Sequence, residues 1–223
     1  MTNQLIIYNH PLNQIMKWEK TESPYRLRSS MKREKILLIA GRLFWQKGYL
    51  AASTDDIARA AKINKATIYY YFKNKATILF ELALGTLESL IDLAMPICKS
   101  DMTPEKKLES FVTNHVSFQL NNLGLSGLGQ RERRNLPARM LLTTTTMRDK
   151  YEEMFQEILE EGINQGKFEC TDTKVTSRFI LGFLNSMVLW YKPTGRLSPM
   201  KLASEAHLFI SRALSHRKGP ISL

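Results

Sequence analysis

Residues 53–75 read STDDIARAAKINKATIYYYFKNK, and this stretch decides the fold of the N-terminal part of the chain. It predicts two short helices around a tight turn. Ser53 is a typical N-cap for the first helix, and Asp56, three residues on, is close to completing a capping box. Asn64 is expected to cap the second helix, Lys65 to Tyr71. A helix this short is not stable alone, so packing must hold it.

The second helix carries side chains that are typical of a DNA-reading surface. Its outer positions are basic, aromatic or hydroxyl-bearing, and the consecutive Tyr69, Tyr70 and Tyr71 cannot all face a core. A purely structural helical pair is the alternative, but a core contact would be apolar here rather than basic. Two short helices with such a second helix indicate a helix-turn-helix motif.

The distribution of charge supports the same interpretation. The chain has 223 residues and a formal net charge of +11. Residues 1–75 hold 14 Lys and Arg against 5 Asp and Glu, whereas residues 76–223 hold 18 against 16. The basic excess therefore lies on the predicted DNA-binding third, as expected for a partner that is a polyanion. A membrane surface is the competing polyanion, but no long basic amphipathic helix without a core role is visible.

The segment IARAAKINKATIYYYFKNK resembles the DNA-binding motif of TetR-like transcriptional regulators. The matching features are Ile57-Ala58, Ala61, Ile63 three residues before Ala66, Thr67-Ile68-Tyr69, and Tyr71-Phe72-Lys73-Asn74-Lys75. The family usually has Gly where Lys62 stands, because the turn often needs a left-handed residue. Lys62 is therefore expected to carry a modest strain. The resemblance is specific from Lys32 to Lys75 and looser beyond.

This resemblance implies a fold and a set of DNA contacts. The expected fold is all-α, with an N-terminal three-helix helix-turn-helix head (residues 31–75) and a C-terminal helical ligand-binding and dimerisation body (residues 76–223). Residues 1–30 are expected to form an extension. Lys75 and Tyr71 resemble the family's phosphate contacts. The predicted DNA-contacting residues are Ser53, Thr54, Lys65, Ala66, Thr67, Tyr69, Tyr70, Tyr71 and Lys75.

Apolar periodicity and cap residues divide the rest of the chain into helices. The predicted helices span approximately residues 31–47, 74–95, 104–120, 137–165, 172–191 and 198–215. Residues 121–130 are expected to be a flexible loop. Their GLSGLG sequence is a poor nucleotide-binding signal because no strand precedes it. The last two helices are apolar on more of their circumference than one core face needs, which predicts a two-fold homodimer through them.

No catalytic constellation, metal-ligand spacing or cofactor motif stands out, so we expect neither an enzyme nor a resident cofactor. The four histidines lack metal-type spacing, and His115 on an apolar face is typical of a core or pocket position. The two cysteines, Cys98 and Cys170, are far apart and fit a reducing compartment. No apolar stretch reaches membrane-spanning length and no signal peptide is apparent, so we expect a cytoplasmic protein without a membrane partner.

Residues 178–198, RFILGFLNSMVLWYKPTGRLS, resemble a stretch in TetR-like regulators of lipid and sterol catabolism, several of which bind acyl-CoA thioesters. The features in common are Gly182, Asn185, Trp190-Tyr191, Pro193, Gly195 and Leu197-Ser198, whereas the subgroup often has an aromatic residue in place of Ser186. The resemblance implies a repressor that a small hydrophobic effector, such as an acyl-CoA, releases from a palindromic double-stranded operator. Such an effector needs an apolar tunnel for its chain and cations for its phosphates.

The predicted ligand-binding residues combine aromatic, apolar and cationic side chains. They are Phe111, His115, Phe118, Arg134, Phe155, Arg178, Phe183, Met187 and Trp190. Further candidate cations are Arg131, Lys192 and Arg196. A simpler interpretation has Trp190 and Tyr191 complete the dimer bundle while the arginines are solvated. Two other functions stay open: a multidrug-sensing or xenobiotic-sensing TetR-like repressor, and a basic helical protein that binds nucleic acid or membrane surfaces without sequence specificity.

Overall fold

The computed structural model describes residues 24–215, with side chains described from residue 30 onward. Over that range the chain is helical and contains no strand, which confirms the all-α prediction. The helices are α1 (Pro24–Lys47), α2 (Thr54–Ala61), α3 (Lys65–Tyr71), α4 (Lys75–Cys98), α5 (Pro104–Asn121), α6 (Leu123–Arg131), α7 (Ala138–Asn164), α8 (Thr173–Trp190) and α9 (Pro199–Leu214), with one 3₁₀ turn at Arg133–Asn135.

Two of the predicted helices, α1 and α4, have one end at a different residue in the structure. Helix α1 begins at Pro24 rather than near Met31, because a proline is well tolerated in the first turn of a helix. The predicted extension therefore includes helical residues from Pro24 onward, while residues 1–23 lie outside the described range. Helix α4 was expected to end near Met95 but continues past Pro96, whose side chain is exposed.

The chain forms two compact units, which we call the head unit and the body unit. The head unit contains residues up to Leu87 together with Asn122–Thr145. The body unit contains Glu88–Asn121 and the described residues from Thr146 onward. These units do not coincide with the predicted boundary at residue 75, because helices α4 and α7 each contribute residues to both.

The core of the head unit is built from the apolar stripes of its helices. Ile36, Ala40 and Phe44 recur every four residues along α1 and are at most 1% exposed. They pack with buried residues of α2, α3 and α4 in one cluster. Leu128 and Leu136 join the same cluster, although they lie more than 40 residues beyond the predicted end of the DNA-binding domain.

Helix α6 occupies the segment that was expected to be a flexible loop. That prediction was wrong because its glycines serve helix packing instead of flexibility. A Cβ atom on Gly127 would meet the Trp45 ring at 2.5 Å, and one on Gly41 would meet Leu125 at 2.9 Å. The missing side chains let α1 and α6 approach closely, and this packing outweighs the low helix propensity of glycine.

The body unit has its own core, in which α5 packs against α8 and α9. Phe111 and Phe155 lie at its centre, each at most 1% exposed. Lys107 is buried as well, but its Nζ is 2.7 Å from Oε2 of Glu161, so the charge is paired. The predicted cap of α9 is confirmed, since the Ser198 hydroxyl accepts a hydrogen bond from an N–H in the first turn.

Candidate DNA-binding and effector-binding sites

The start of α2 is fixed by a complete capping box. The Asp56 N–H donates to Oγ of Ser53 at 3.1 Å, and the Ser53 N–H donates to Oδ2 of Asp56 at 3.0 Å. The Ser53 backbone N–H, followed by its hydroxyl, lowers the pKa of Asp56 to about 2. The carboxylate therefore stays ionised down to low pH and fixes the start of α2, which packs against α3.

The turn between α2 and α3 has the left-handed conformation that the sequence predicted. Lys62 has φ 57° and ψ 45°, and among the described residues it is the one non-glycine with positive φ. Such a conformation costs a residue with a Cβ about 1 kcal/mol or more. The predicted strain at Lys62 is therefore present.

Helix α3 is anchored on one face and open on the other. Ile68 and Phe72 are at most 1% exposed, whereas Tyr70 is 71% exposed. The predicted cap is confirmed, because Oδ1 of Asn64 accepts from the Thr67 N–H at 2.8 Å and from the Thr67 hydroxyl at 2.6 Å. The two ends of α3 are thus fixed, and its outer face is held ready for a partner.

Polar contacts tie α3 to the start of α2. Nζ of Lys65 lies 2.7 Å from Oδ2 of Asp55, and this hydrogen bond raises the pKa of Lys65. The hydroxyls of Thr54 and Tyr69 are 3.3 Å apart. Both contacts are exposed and therefore weak, so DNA can replace them at little cost. Three of the predicted DNA-contacting residues, Thr54, Lys65 and Tyr69, thus lie on one surface formed by α2 and α3.

The ammonium of Lys75, which was predicted to contact a phosphate, has hydrogen-bond partners within the head unit. Its ammonium donates to three backbone carbonyls of the segment between α1 and α2: Tyr49 at 2.8 Å, Leu50 at 3.3 Å and Ala52 at 2.9 Å. It also lies 4.4 Å from the centre of the Tyr49 ring. A lysine has three N–H donors, so these contacts use all of them. In this structure Lys75 is a clamp inside the head unit.

Helices α8 and α9 present a broad apolar face to solvent. Its exposed large side chains are Val175, Phe179, Phe183, Leu189, Trp190, Met200, Leu208 and Phe209. The rings of Phe183 and Phe209 are 5.4 Å apart and border a groove of about 440 Å³. Contiguous exposed apolar surface of this kind is typical of a protein–protein interface. It coincides with the two helices that the sequence predicted to form the dimer.

The structure separates the predicted ligand-binding residues into three groups. Phe111, His115, Phe155 and Met187 are buried in the body unit, and Phe118 is half-buried there. Phe183 and Trp190 lie on the exposed apolar face of α8. Arg134 belongs to the head unit, and Arg178 is exposed, with its Nε 3.0 Å from Oε1 of Glu152. Within the body unit, the buried side chains and the exposed Phe183, Trp190 and Arg178 thus lie on different helix faces.

A buried polar chain in the body unit went largely unnoticed in the sequence. It joins Tyr151 on α7, His115 and Gln119 on α5, and Asn185 on α8. Gln119 follows His115 by four residues and so shares its helix face, a signal that the sequence offered. Tyr151 and Asn185 are distant in sequence, and no local pattern links them to His115. Burial lowers the pKa of His115 to about 4, so its imidazole is neutral at physiological pH.

Residues 24–215 contain neither a candidate metal site nor a candidate membrane-spanning helix. No three His, Cys, Asp or Glu side chains in that range are grouped so that they could hold a metal ion. No helix there is both long and apolar enough to span a membrane.

Comparison with known proteins identifies both parts of the chain. Residues 36–82 match the model of bacterial regulatory proteins of the tetR family, and residues 101–214 match that of the tetracyclin repressor-like C-terminal domain. The chain belongs to the TetR family. It is a ligand-responsive DNA-binding transcriptional regulator, as the resemblance of residues 57–75 implied.

Individual relatives and solved structures match this chain over most of its length. It is 28% identical to the HTH-type transcriptional repressor KstR2 of Rhodococcus jostii over 180 residues, which are 79% of this chain and 87% of the repressor. The TetR family regulator PfmR from Thermus thermophilus has 31% sequence identity to this chain, and its crystal structure matches with a TM-score of 0.75. The match covers 79% of this chain and 97% of PfmR. The structure of AibR in complex with isovaleryl coenzyme A and operator DNA has a TM-score of 0.73 at 20% identity, over 82% and 98% of the two chains, and so shows the same fold.

Proposed function

We propose that this regulator is a homodimeric repressor that an acyl-CoA thioester releases from a palindromic operator. We place it in the cytoplasm, where bacterial DNA lies, and assign it no catalytic role. The observation that carries the proposal is the outer face of α3. This helix buries Ile68 and holds its polar and aromatic side chains outward between two fixed ends.

Side-chain chemistry assigns different DNA contacts to the exposed residues of α3 and to the start of α2. Lys65, Ala66 and Tyr70 are exposed on α3, and we assign them to the base edges of the major groove. Ser53 and Thr54 at the start of α2 are assigned to the DNA backbone, because hydroxyls and helix N-termini are typical phosphate contacts. Thr67 and Tyr71 are assigned to the edge of the same surface.

A dimer gives the two recognition helices their spacing. Two apolar faces made of α8 and α9, one from each subunit, would form a four-helix arrangement with two-fold symmetry. On DNA, two symmetric heads read half-sites about 34–36 Å apart on one side of the duplex. An effector that favours a differently spaced state lowers operator affinity, and a coupling of about 1–3 kcal/mol is enough for a useful switch.

The acyl-CoA assignment is supported from two directions. The resemblance of residues 178–198 to regulators of lipid catabolism agrees with the relatives, which include KstR2 repressors and a fatty acid metabolism regulator of Bacillus subtilis. A structure of the same fold, AibR, holds isovaleryl coenzyme A. In the body unit the Phe111 and Phe155 rings stack 4.6 Å apart, and this apolar surface suits an acyl chain.

One observation favours a second candidate, a drug-sensing repressor. Two of the cations proposed to meet the CoA phosphates have other assignments in the structure: Arg134 is a residue of the head unit, and Arg178 is paired with Glu152. A xenobiotic effector would need no phosphate-binding cations. The apolar body alone would serve it.

Operator release distinguishes the two effectors. A duplex selected by this protein from a random library would be labelled, and its release followed by fluorescence anisotropy. CoA thioesters of rising chain length would be titrated beside free fatty acids and cationic drugs. We expect release by a thioester in a chain-length-dependent manner. Release by a cationic or aromatic drug, with no response to any thioester, would replace the acyl-CoA proposal with the drug-sensing one.

A further inference from the structure

We propose that the buried polar chain Tyr151–His115–Gln119–Asn185 binds the uncharged oxygen group of the effector, a thioester carbonyl or a hydroxyl, and discriminates against a free carboxylate. This inference rests on the proposed function, since it concerns the effector of the same regulator.

The four side chains connect three helices through the interior of the body unit. Nδ1 of His115 lies 2.9 Å from the Tyr151 hydroxyl, and its Nε2 lies 2.8 Å from Nε2 of Gln119. Nε2 of Gln119 also lies 2.6 Å from Oδ1 of Asn185. His115 and Gln119 are at most 3% exposed, whereas Asn185 is half-buried. The chain therefore runs from the flank of α8 into the core.

Gln119 has one end without a hydrogen-bond partner. One terminal atom of its amide makes both contacts, to His115 and Asn185, and the other, Oε1, has none although it is buried. Turning the amide round would exchange the nitrogen and the oxygen but leave one end without a partner. Buried amides normally use both ends, so this end is a natural place for a polar atom of a ligand.

The chemistry of the chain selects an uncharged partner. None of the four side chains carries a formal charge at neutral pH, because His115 is neutral and the others are a phenol and two amides. As placed, the unpartnered Oε1 can accept from a ligand hydroxyl; with the amide turned round, the nitrogen at that end can donate to a thioester carbonyl. A carboxylate bound to this chain would meet no formal positive charge among the four side chains, which disfavours its binding.

The surroundings of the chain suit the apolar remainder of such a ligand. The Phe111 ring lies 5.0 Å from the Tyr151 ring and 4.6 Å from the Phe155 ring, so the polar atoms are flanked by stacked aromatic surface. A few polar groups inside an apolar region are the usual composition of a small-molecule site, in which the polar groups fix the orientation of the ligand.

Two CoA derivatives that differ only in the carbonyl test the proposal. Decanoyl-CoA and its thioether analogue S-decyl-CoA would be titrated into the full-length protein without DNA, by isothermal titration calorimetry. We expect wild-type protein to bind the thioester about tenfold more tightly than the thioether, which is the usual effect of one buried hydrogen bond. The Gln119→Met variant keeps a similar side-chain length without the amide and is expected to bind both equally.

Gln156→Met is the matched control. Gln156 is a half-buried glutamine of the same unit, with contacts to Glu152 and Ser177, and its variant should keep the tenfold ratio. If Gln119 only braced the helices, its variant would lower the melting temperature and leave the ratio unchanged, and this result would overturn the proposal. If Gln119→Met does not fold, Gln119→Leu, which likewise lacks the amide, replaces it with the same expected loss of the ratio.

Decan-1-ol and decanoic acid separate this inference from the proposed function. Thioester binding with the ratio unchanged in the Gln119 variant would refute the inference and leave the acyl-CoA proposal standing. Binding of decan-1-ol but of no thioester, in a Gln119-dependent manner, would refute the acyl-CoA proposal and support the polar site. Decanoic acid binding as tightly as decan-1-ol, or no binding of any of the four compounds, would overturn the inference.

Discussion

Replacing Lys75 with alanine distinguishes a clamp inside the head unit from a phosphate contact. The variant loses three hydrogen bonds from a charged donor to backbone carbonyls, two of them shorter than 3 Å. A charged hydrogen bond contributes about 1.5–3 kcal/mol when buried, but Lys75 is half-buried and water replaces part of the loss. We therefore expect a destabilisation of about 2 kcal/mol, which lowers the melting temperature of a chain of this size by about 4–8 °C.

The salt dependence of DNA binding gives the independent measurement. Each phosphate contact contributes about −0.9 to the slope of log K against log salt, so losing one contact per head would flatten the slope by about 1.8 per dimer. As a clamp, Lys75 should leave the slope unchanged in Lys75→Ala while overall affinity falls, because the start of α2 is less well held. Anisotropy titrations of one operator duplex at several KCl concentrations measure this slope.

An exposed neighbouring lysine provides the control. Lys73 precedes Lys75 by two residues and is exposed, so Lys73→Ala should keep the wild-type melting temperature. A Lys75→Ala protein that melts like wild type and shows a slope flattened by about 1.8 would refute the clamp and restore the phosphate contact that the sequence predicted.

Three further predictions concern packing, protonation and assembly. Gly127→Ala places a methyl group 2.5 Å from the Trp45 ring and should destabilise the head unit by about 1–3 kcal/mol in thermal unfolding. The pKa of His115 is about 4 in the folded state against about 6.5 when unfolded, so the unfolded state binds a proton first as the pH falls. The free energy of unfolding should therefore fall by at most about 3 kcal/mol between pH 6.5 and 4. Denaturant titrations of His115→Gln should lack that fall. Phe209→Glu adds a charge to the exposed apolar face of α8 and α9, and light scattering should then report a monomer.

Each of these predictions has a matched control. Gly124→Ala meets the Trp45 ring only at 3.5 Å and should be neutral or slightly stabilising, since alanine is the better helix former. Gln156→Met, which removes no titratable group from the same unit, should keep the wild-type fall of stability with pH. Leu142→Glu charges an equally exposed leucine outside α8 and α9 and should leave the dimer intact. A dimeric Phe209→Glu protein, or equal effects at Gly127 and Gly124, would contradict the corresponding prediction.

Local chemistry made the head motif predictable from sequence. The caps at Ser53 and Asn64 and the strained turn at Lys62 depend on residues a few positions apart, so their types and spacing were enough. The partners of Lys75 were not predictable in this way, because a lysine's side chain reaches carbonyls as readily as phosphates. Its three acceptors lie 23 to 26 residues earlier in the chain.

The two features that the sequence analysis missed, helix α6 and the buried polar chain, have a common physical cause. Glycine in residues 121–130 indicated a loop because its helix propensity is low, but the approach of Trp45 from α1 decides its structure. The polar chain was missed because it depends on which faces of α5, α7 and α8 meet. Helical periodicity shows that a face is buried but does not identify the residue opposite it.

The head unit is assembled from two separate pieces of chain, and this affects how the gene can be rearranged. Leu128 and Leu136 complete the same core as Ile36 and Phe44, yet they are encoded after a whole helix of the body unit. A crossover between two related genes near codon 87 would join a head core to a foreign α6. Exchange of DNA-reading specificity among such regulators is therefore expected to succeed when the segment encoding residues 122–145 is inherited with residues 24–87, and to yield misfolded hybrids when it is not.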